Sequence, residues 1–411
     1  YVATADLSNV NNYEWSDGTT DKKTYNWSIA KATLKPSATA KNKVYDGTTT
    51  ASGTITLQGA VNNEKPTATA KFEFTSANVG TQTVNVTNIE LEDNWNTNYE
   101  LETDNLEVEA QITQKAIEVT KTNYNNTYDG SAHSIEISTV PSGDNIKIYY
   151  STKSALTSEN YSTEGSLDKP TAVDAGTTTV YYYIHDENEN YADYASNAES
   201  NNGTITISKA TLTPTVTVNS KVYDGTTNGT GKVTLSGAVN DEEPTATGTF
   251  TYDNKNVGTE KTVNVNISLD GDWGTNYKLS TDNVLLTNGV ITVKSVTVNS
   301  ISVNDKDYDG TTTATQKSVI ALSGVINGDI VTATASKYAF ASSAAGTGKT
   351  VTATGITLSG TDSGNYELSS TQATTTANIN KVKVTPTVTA NSKVYDGTNN
   401  GTGKVTLTGA V

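Results

Sequence analysis

One tripeptide, Tyr-Asp-Gly, recurs at near-regular intervals. The copies are Tyr45-Asp46-Gly47, Tyr128-Asp129-Gly130, Tyr223-Asp224-Gly225, Tyr308-Asp309-Gly310 and Tyr395-Asp396-Gly397, and their tyrosines are 83, 95, 85 and 87 residues apart. A period of that length is one small domain, so the chain is expected to fold as a tandem array rather than as one large globule. Asp-Gly is a turn signal, because Asp bonds nearby backbone and Gly accepts positive φ. A Tyr just before it can bury its ring beneath the turn and keep its hydroxyl at the edge. The motif therefore reads first as a structural corner, with a ligand or metal site at each Asp as the competing reading.

Composition narrows the classes. The 411 residues include no Cys, no Met and no Arg, and the net charge is −16. Without Cys there are no disulfides, thiol nucleophiles or thiolate metal sites. Excess carboxylate without Arg argues against phosphate recognition, so nucleic acid is not an expected partner. No apolar run is long enough to cross a bilayer, so no membrane insertion is expected of this segment. Hydrophobic content is 34%, and much of the remainder is Thr, Ser and Asn. Thr, Val and Tyr favour strands. Val263, Val265, Ile267 and Leu269 alternate with Thr262, Asn264, Asn266 and Ser268, the pattern of a half-buried strand.

Six segments follow. Residues 1–31 are the end of a module, read as strand, turn and strand through Asn12–Trp15, Asp17–Thr19 and Tyr25–Ile29. Residues 32–116, 211–295 and 296–382 are full repeats of one kind. Residues 117–210 are a different module, with an aromatic strand from Val180 to Ile184 and a short helix or long loop between Ser154 and Glu164. Residues 383–411 begin another repeat. Thr213–Val239 and Thr385–Val411 differ at three positions only, which suggests duplication in a longer parent protein. Connections such as Gln114-Lys115-Ala116, Ser208-Lys209-Ala210 and Asn380-Lys381-Val382 leave almost no linker, so a stiff rod with about 33 Å per module is expected. Val84 and Ile89 are five residues apart, as are Val351 and Ile356, whereas Val263 and Ile267 are four apart. An inserted residue would restore the facing, which places β-bulges near Asn88 and Gly355 and none in the second copy.

Lys-Val-Tyr-Asp-Gly-Thr-Thr at 43–49 and 221–227, with Asn-Tyr-x-Leu at 98–101, 276–279 and 365–368, resembles the YDG repeats of large bacterial surface proteins. Residues 1–31, with Trp15-Ser16-Asp17-Gly18 and Trp27-Ser28-Ile29, resemble the end of a related MBG-type module, and 117–210 resembles a complete one. The resemblance covers nearly the whole chain. It implies an extracellular, cell-anchored, adhesin-like protein whose repeats form a stalk, and it carries over no catalytic residues.

The expected fold is all-β: small Ig-like antiparallel sandwiches of six or seven strands joined end to end, with a β-grasp-like module as the alternative, chiefly for 117–210. The leading function is a structural stalk or filament segment. Its partners would be neighbouring repeats of the same chain, with lateral or end-to-end self-association as a further option. The alternative is a repeat array that contacts glycan or mucin through Tyr and Trp loops. Trp95 and Trp273 are the candidate contacts, since the equivalent position of the third copy is Asp362 and a core site would not accept that exchange. No enzyme signature is present, and no cofactor is expected. Asp270-Gly271-Asp272 and Glu92-Asp93-Asn94 are the loops that could take Ca²⁺, with a solvated turn as the plainer reading. His133, His185 and Asp186 could be combined into a metal site, but exposed histidines are favoured. Lys43, Lys221 and Lys393 are candidates for an internal amide crosslink to Asn.

Overall fold

A computed structural model of the chain describes residues 1–196 and 201–411. The fold is all-β, built of small two-sheet Ig-like sandwiches. By their contacts the residues divide into two units, Tyr1–Thr127 with Ser131–Ser208, and Tyr128–Gly130 with Lys209–Val411.

In the first unit, the sandwich beginning at Ala32 has seven strands in two sheets. One sheet runs Gly53–Gln58, Ala32–Ala40, Tyr99–Leu101; the other runs Lys43–Val44, Leu106–Thr113, Gly80–Leu91, Ala68–Phe74. The opening segment feeds both sheets, because the chain crosses over between Ala40 and Lys43. Most pairings are antiparallel, but Ala32–Leu34 runs parallel to Tyr99–Leu101, and Lys43–Val44 runs parallel to Leu106–Thr113. Period-two alternation sends Leu34, Phe74, Val84, Val86, Ala110 and Ile112 inward, while Thr, Lys and Glu face water.

An extra residue on one strand alone is absorbed as a bulge. In this first repeat the pairing of Ala68–Phe74 with Gly80–Leu91 slips by one residue at Asn88, which stands at φ +53° and lets Ile89 turn inward. The second repeat pairs Ala246–Tyr252 with Val263–Leu269 without a slip; its irregularity lies earlier, around Lys261 and Glu260. The expected bulge at Gly355 is corrected by the structure. Thr332–Phe340 stays in one register with Val351–Ser359, because Ser336 is an extra residue opposite Gly355. The insertion is matched on both strands, and Gly355 takes φ +64° against the Ser336 side chain.

The residues before Ala32 differ from expectation in one strand. Val2–Ala5 pairs with Lys23–Asn26, whereas Asn12–Trp15 forms no strand; the turn at Asp17 is present, with Asp17 accepting from Thr19 and Lys23. In the 117–208 region, Glu118–Thr122 pairs with Glu136–Val140. The larger sheet runs Tyr124–Thr127, Gly203–Ser208, Gly176–Asp186, Ile146–Ser151. Val180, Tyr182, Tyr183 and Ile184 are buried. Its α-helix is a single turn, Tyr161–Glu164, too short to be the sheet-covering helix of a β-grasp fold.

In the second unit the 211–295 and 296–382 sandwiches repeat the plan of the first. One strand ends at Thr292 and the next begins at Lys294. One cluster of buried side chains joins Tyr223, Phe250, Tyr252, Val263, Val265 and Ile291 to Val296 and Tyr366, so these two sandwiches share apolar packing across their junction. Residues 383–411 add the hairpin Thr385–Ala390 with Gly403–Thr408.

Candidate functional site: the joint between repeats

The Tyr-Asp-Gly corner is a lysine-anchored turn. Asp46 Oδ1 accepts from the Thr48 N–H at 2.9 Å, the Thr48 hydroxyl at 2.8 Å and Lys43 Nζ at 2.8 Å. Lys43 also donates to the carbonyls of Thr48 and Thr50, and it lies 5.4 Å from the Phe74 ring centroid. The same lysine–aspartate bridge recurs as Lys221–Asp224, Lys306–Asp309 and Lys393–Asp396. The Lys43 and Lys306 bonds hold the Asp46 and Asp309 carboxyls at about 2. At Asp224 partial burial pushes upward, but Lys221 and Thr226 together keep the carboxyl below its usual range. All five motif glycines have positive φ, between 73° and 79°.

These pairs are ionic, which tells against the amide crosslink. Condensation needs an uncharged amine facing an amide or a protonated acid. Lys43, Lys221 and Lys393 face ionised aspartates instead of Asn.

Three of the motif tyrosines, Tyr45, Tyr128 and Tyr223, meet a tyrosine of the next module edge-on. In the first unit Tyr45 sits edge-on to Tyr191, with centroids 5.3 Å apart and planes at 76°. Beside it the Val79 N–H donates to Asn190 Oδ1 at 3.0 Å, and Asn190 Nδ2 donates to Asn78 Oδ1. The second unit repeats this arrangement. Tyr223 is edge-on to Tyr366 at 5.4 Å and 77°, the Val257 N–H donates to Asn365 Oδ1 at 2.9 Å, and Asn365 Nδ2 donates to Asn256 Oδ1. A joint thus consists of a Tyr-Asp-Gly corner and an Asn-Val-Gly turn on the preceding module, received by an Asn-Tyr pair on the following one.

A carboxylate completes the joint. In each full repeat the Tyr of Asn-Tyr-x-Leu accepts a backbone N–H and donates to an acid. Tyr99 joins Val61 and Glu64, Tyr277 joins Val239 and Glu242, and Tyr366 joins Ile326 and Asp329. Those acids end tight turns in which Asn62, Asn63, Asn240, Asp241 and Gly328 have positive φ. Within the second unit the preceding motif tyrosine adds a second bond. Tyr128 donates to Glu242 Oε1 at 2.7 Å and Tyr223 donates to Asp329 Oδ2 at 2.8 Å. Asp329, whose side chain is 4% exposed, also receives Lys255 Nζ at 2.9 Å. Burial pushes this carboxyl upward, but Tyr366, Lys255 and Tyr223 hold it below the usual range. Burial and then the Asp329 bond push the Tyr366 hydroxyl up to about 12.

The remaining candidates fall as follows. Tyr308 is half-buried and Tyr395 exposed. Trp95 and Trp273 are half-buried and lean over Tyr99 and Tyr277, with centroids 6.0 and 6.1 Å apart. Asp362, which replaces Trp in the third copy, accepts from the Ile330 N–H and lies 3.8 Å from Lys255. Asp270 accepts from the Thr247 hydroxyl. The histidines are half-buried rather than exposed, because each packs on a tyrosine. His133 stacks on Tyr124, and His185 leans on Tyr161 with Nδ1 3.0 Å from Asp193. Asp186 accepts backbone N–H groups from Asn188, Asn190 and Tyr191. Among the described residues no three His, Asp or Glu side chains group as metal ligands.

Sequence reasoning found the tyrosines but missed Glu64, Glu242, Asp329, Lys255, Asn190 and Asn365. A signal for the acids was present, since Gly-x-(Val/Ile)-Asn-x-acid occurs at 59–64, 237–242 and 324–329.

A family model described as YDG domain matches residues 29–106, 206–284 and 292–376, more than half of the chain. No curated protein matches. Among solved structures, the chain is similar to Sidekick-1 immunoglobulin domains 1-5, at 11% identity and a TM-score of 0.26, over 83% of this chain and 78% of that one. A likeness of that size adds nothing to the topology described above.

Proposed function

The chain belongs to the YDG domain family, and from that premise we propose that it is a structural segment, a stalk or filament piece of a bacterial surface protein that projects or links adhesive elements outside the cell. In this reading 117–210 is an MBG-type module and 1–31 the C-terminal part of another, interleaved with the YDG repeats. The observation that carries it is the joint: the most elaborate polar constellation of the repeats is spent on holding one module against the next. Tyr223 and Tyr366 both donate to Asp329, Asn365 receives the Val257 N–H across the same joint, and that arrangement offers little to a reacting substrate. The YDG domain is not an enzymatic family, and catalysis forms no part of the proposal.

The test is binding of the full chain, immobilised, to mucin and to a panel of free glycans. A structural segment gives no saturable response. Saturable binding that is lost in Trp95→Ala or Trp273→Ala, with the fold intact, would replace this reading with a glycan-binding array, whose affinity would grow with repeat number.

A further inference from the structure

The joints fall into two classes. At Tyr45 no charged side chain bonds across the joint: it is made by a tyrosine edge, the paired amides of Asn78 and Asn190, and Gln114 Nε2 donating to the Glu189 and Tyr191 carbonyls, while the buried Asp186 carboxylate holds the Asn190 and Tyr191 N–H groups from within their own module. At Tyr223 the same frame encloses a buried carboxylate. Asp329 is faced by Tyr223 from the corner, by Lys255 from the turn after Ala246–Tyr252, and by Tyr366 from its own repeat, while Asp362 approaches the far side of Lys255. Two of its three donors belong to the preceding repeat. The first repeat has Ala77 where the second has Lys255, counting back from the shared Asn-Val-Gly turn. A buried carboxylate holds its donors firmly while charged, and its neutralisation leaves Lys255 with only the longer 3.8 Å contact to Asp362.

We propose that Asp329 is a latch, whose negative charge fixes the angle between the 211–295 and 296–382 repeats and whose neutralisation frees that joint, whereas the joint at Tyr45, which no charged side chain bridges, does not depend on Asp329. The latch goes beyond the structural reading and does not depend on it, since ligand-binding repeats could carry the same device. The sign follows from the depressed carboxyl. The charged form is favoured in the folded joint, so the latch is fully present above the usual carboxylate value of 3.8. It is lost as pH falls through the lower folded value.

The absence of Cys permits site-specific labelling. Spin labels at Thr249→Cys and Thr334→Cys report the latched joint; labels at Thr69→Cys and Thr177→Cys report the joint at Tyr45. Distance distributions are recorded on the full chain near pH 7 and at about pH 3, with Trp273 fluorescence confirming the fold. The expected result is a distribution for the first pair that broadens in acid. Asp329→Asn should broaden it already at neutral pH, so the idea remains testable if acid unfolds the chain. Asp329→Asn as narrow as the wild type at neutral pH would overturn the proposal, as would equal broadening of both pairs in that variant. Neither readout involves a glycan, so failure here is distinct from failure of the structural reading.

Discussion

Gly225 shows how one residue serves both a corner and a joint. Its φ of +79° is a conformation that L side chains rarely adopt, and an added Cβ would lie 3.2 Å from Ile326 Cγ2 of the following repeat. Gly225→Val should therefore destabilise the second unit by about 1–3 kcal/mol through backbone strain and crowding. Denaturant unfolding followed through Trp273, the one tryptophan of that unit, measures the cost. A loss of only a few tenths of a kcal/mol would show that the corner relaxes without strain. The corner itself was legible from the sequence, because Asp-Gly-Thr carries its own turn chemistry within three residues. The acids of the joint were not, because their partners are distant along the chain: Tyr99 is 35 residues from Glu64, and Tyr223 is 106 from Asp329. No local spacing rule reaches that far.

At the scale of strands, the apolar alternation gave the facing of most side chains, and the odd interval between Val84 and Ile89 gave the bulge at Asn88. The same interval misled at Gly355. A one-strand pattern cannot reveal that the partner strand has gained a residue too, here Ser336. The parallel pairings escaped for a related reason: three residues such as Tyr99–Leu101 carry too little pattern to name a partner. The bulge makes a prediction. Deleting Asn88 converts the first repeat to the uninterrupted pairing of the second, so it should change stability by no more than about 1 kcal/mol. Deleting Asn266 from the second repeat would turn buried Ile267 to solvent and should cost several-fold more. Circular dichroism melts of the two deletions check this, and equal costs would mean that facing along this strand is not what sets stability.

For the molecule as a whole, the repeated sandwich explains the composition. Modules of this size need few large apolar residues, and each has its own buried cluster, around Val84 and Ile112 in the first repeat, Val263 and Ile291 in the second, and Val351 and Ile379 in the third. Polar side chains fasten neighbouring repeats at Tyr45 and at Tyr223, and the proposed structural role requires that such modules carry load from one to the next. Pulling the full chain from its two ends tests that claim most directly. One repeat of 85–87 residues, fully extended, adds about 30 nm of contour length. A load-bearing series of modules gives a succession of unfolding events, each releasing about that length, with the event for the 211–295 repeat moved to lower force by Asp329→Asn. A single event that releases the whole chain, or extension without resolved events, would contradict it.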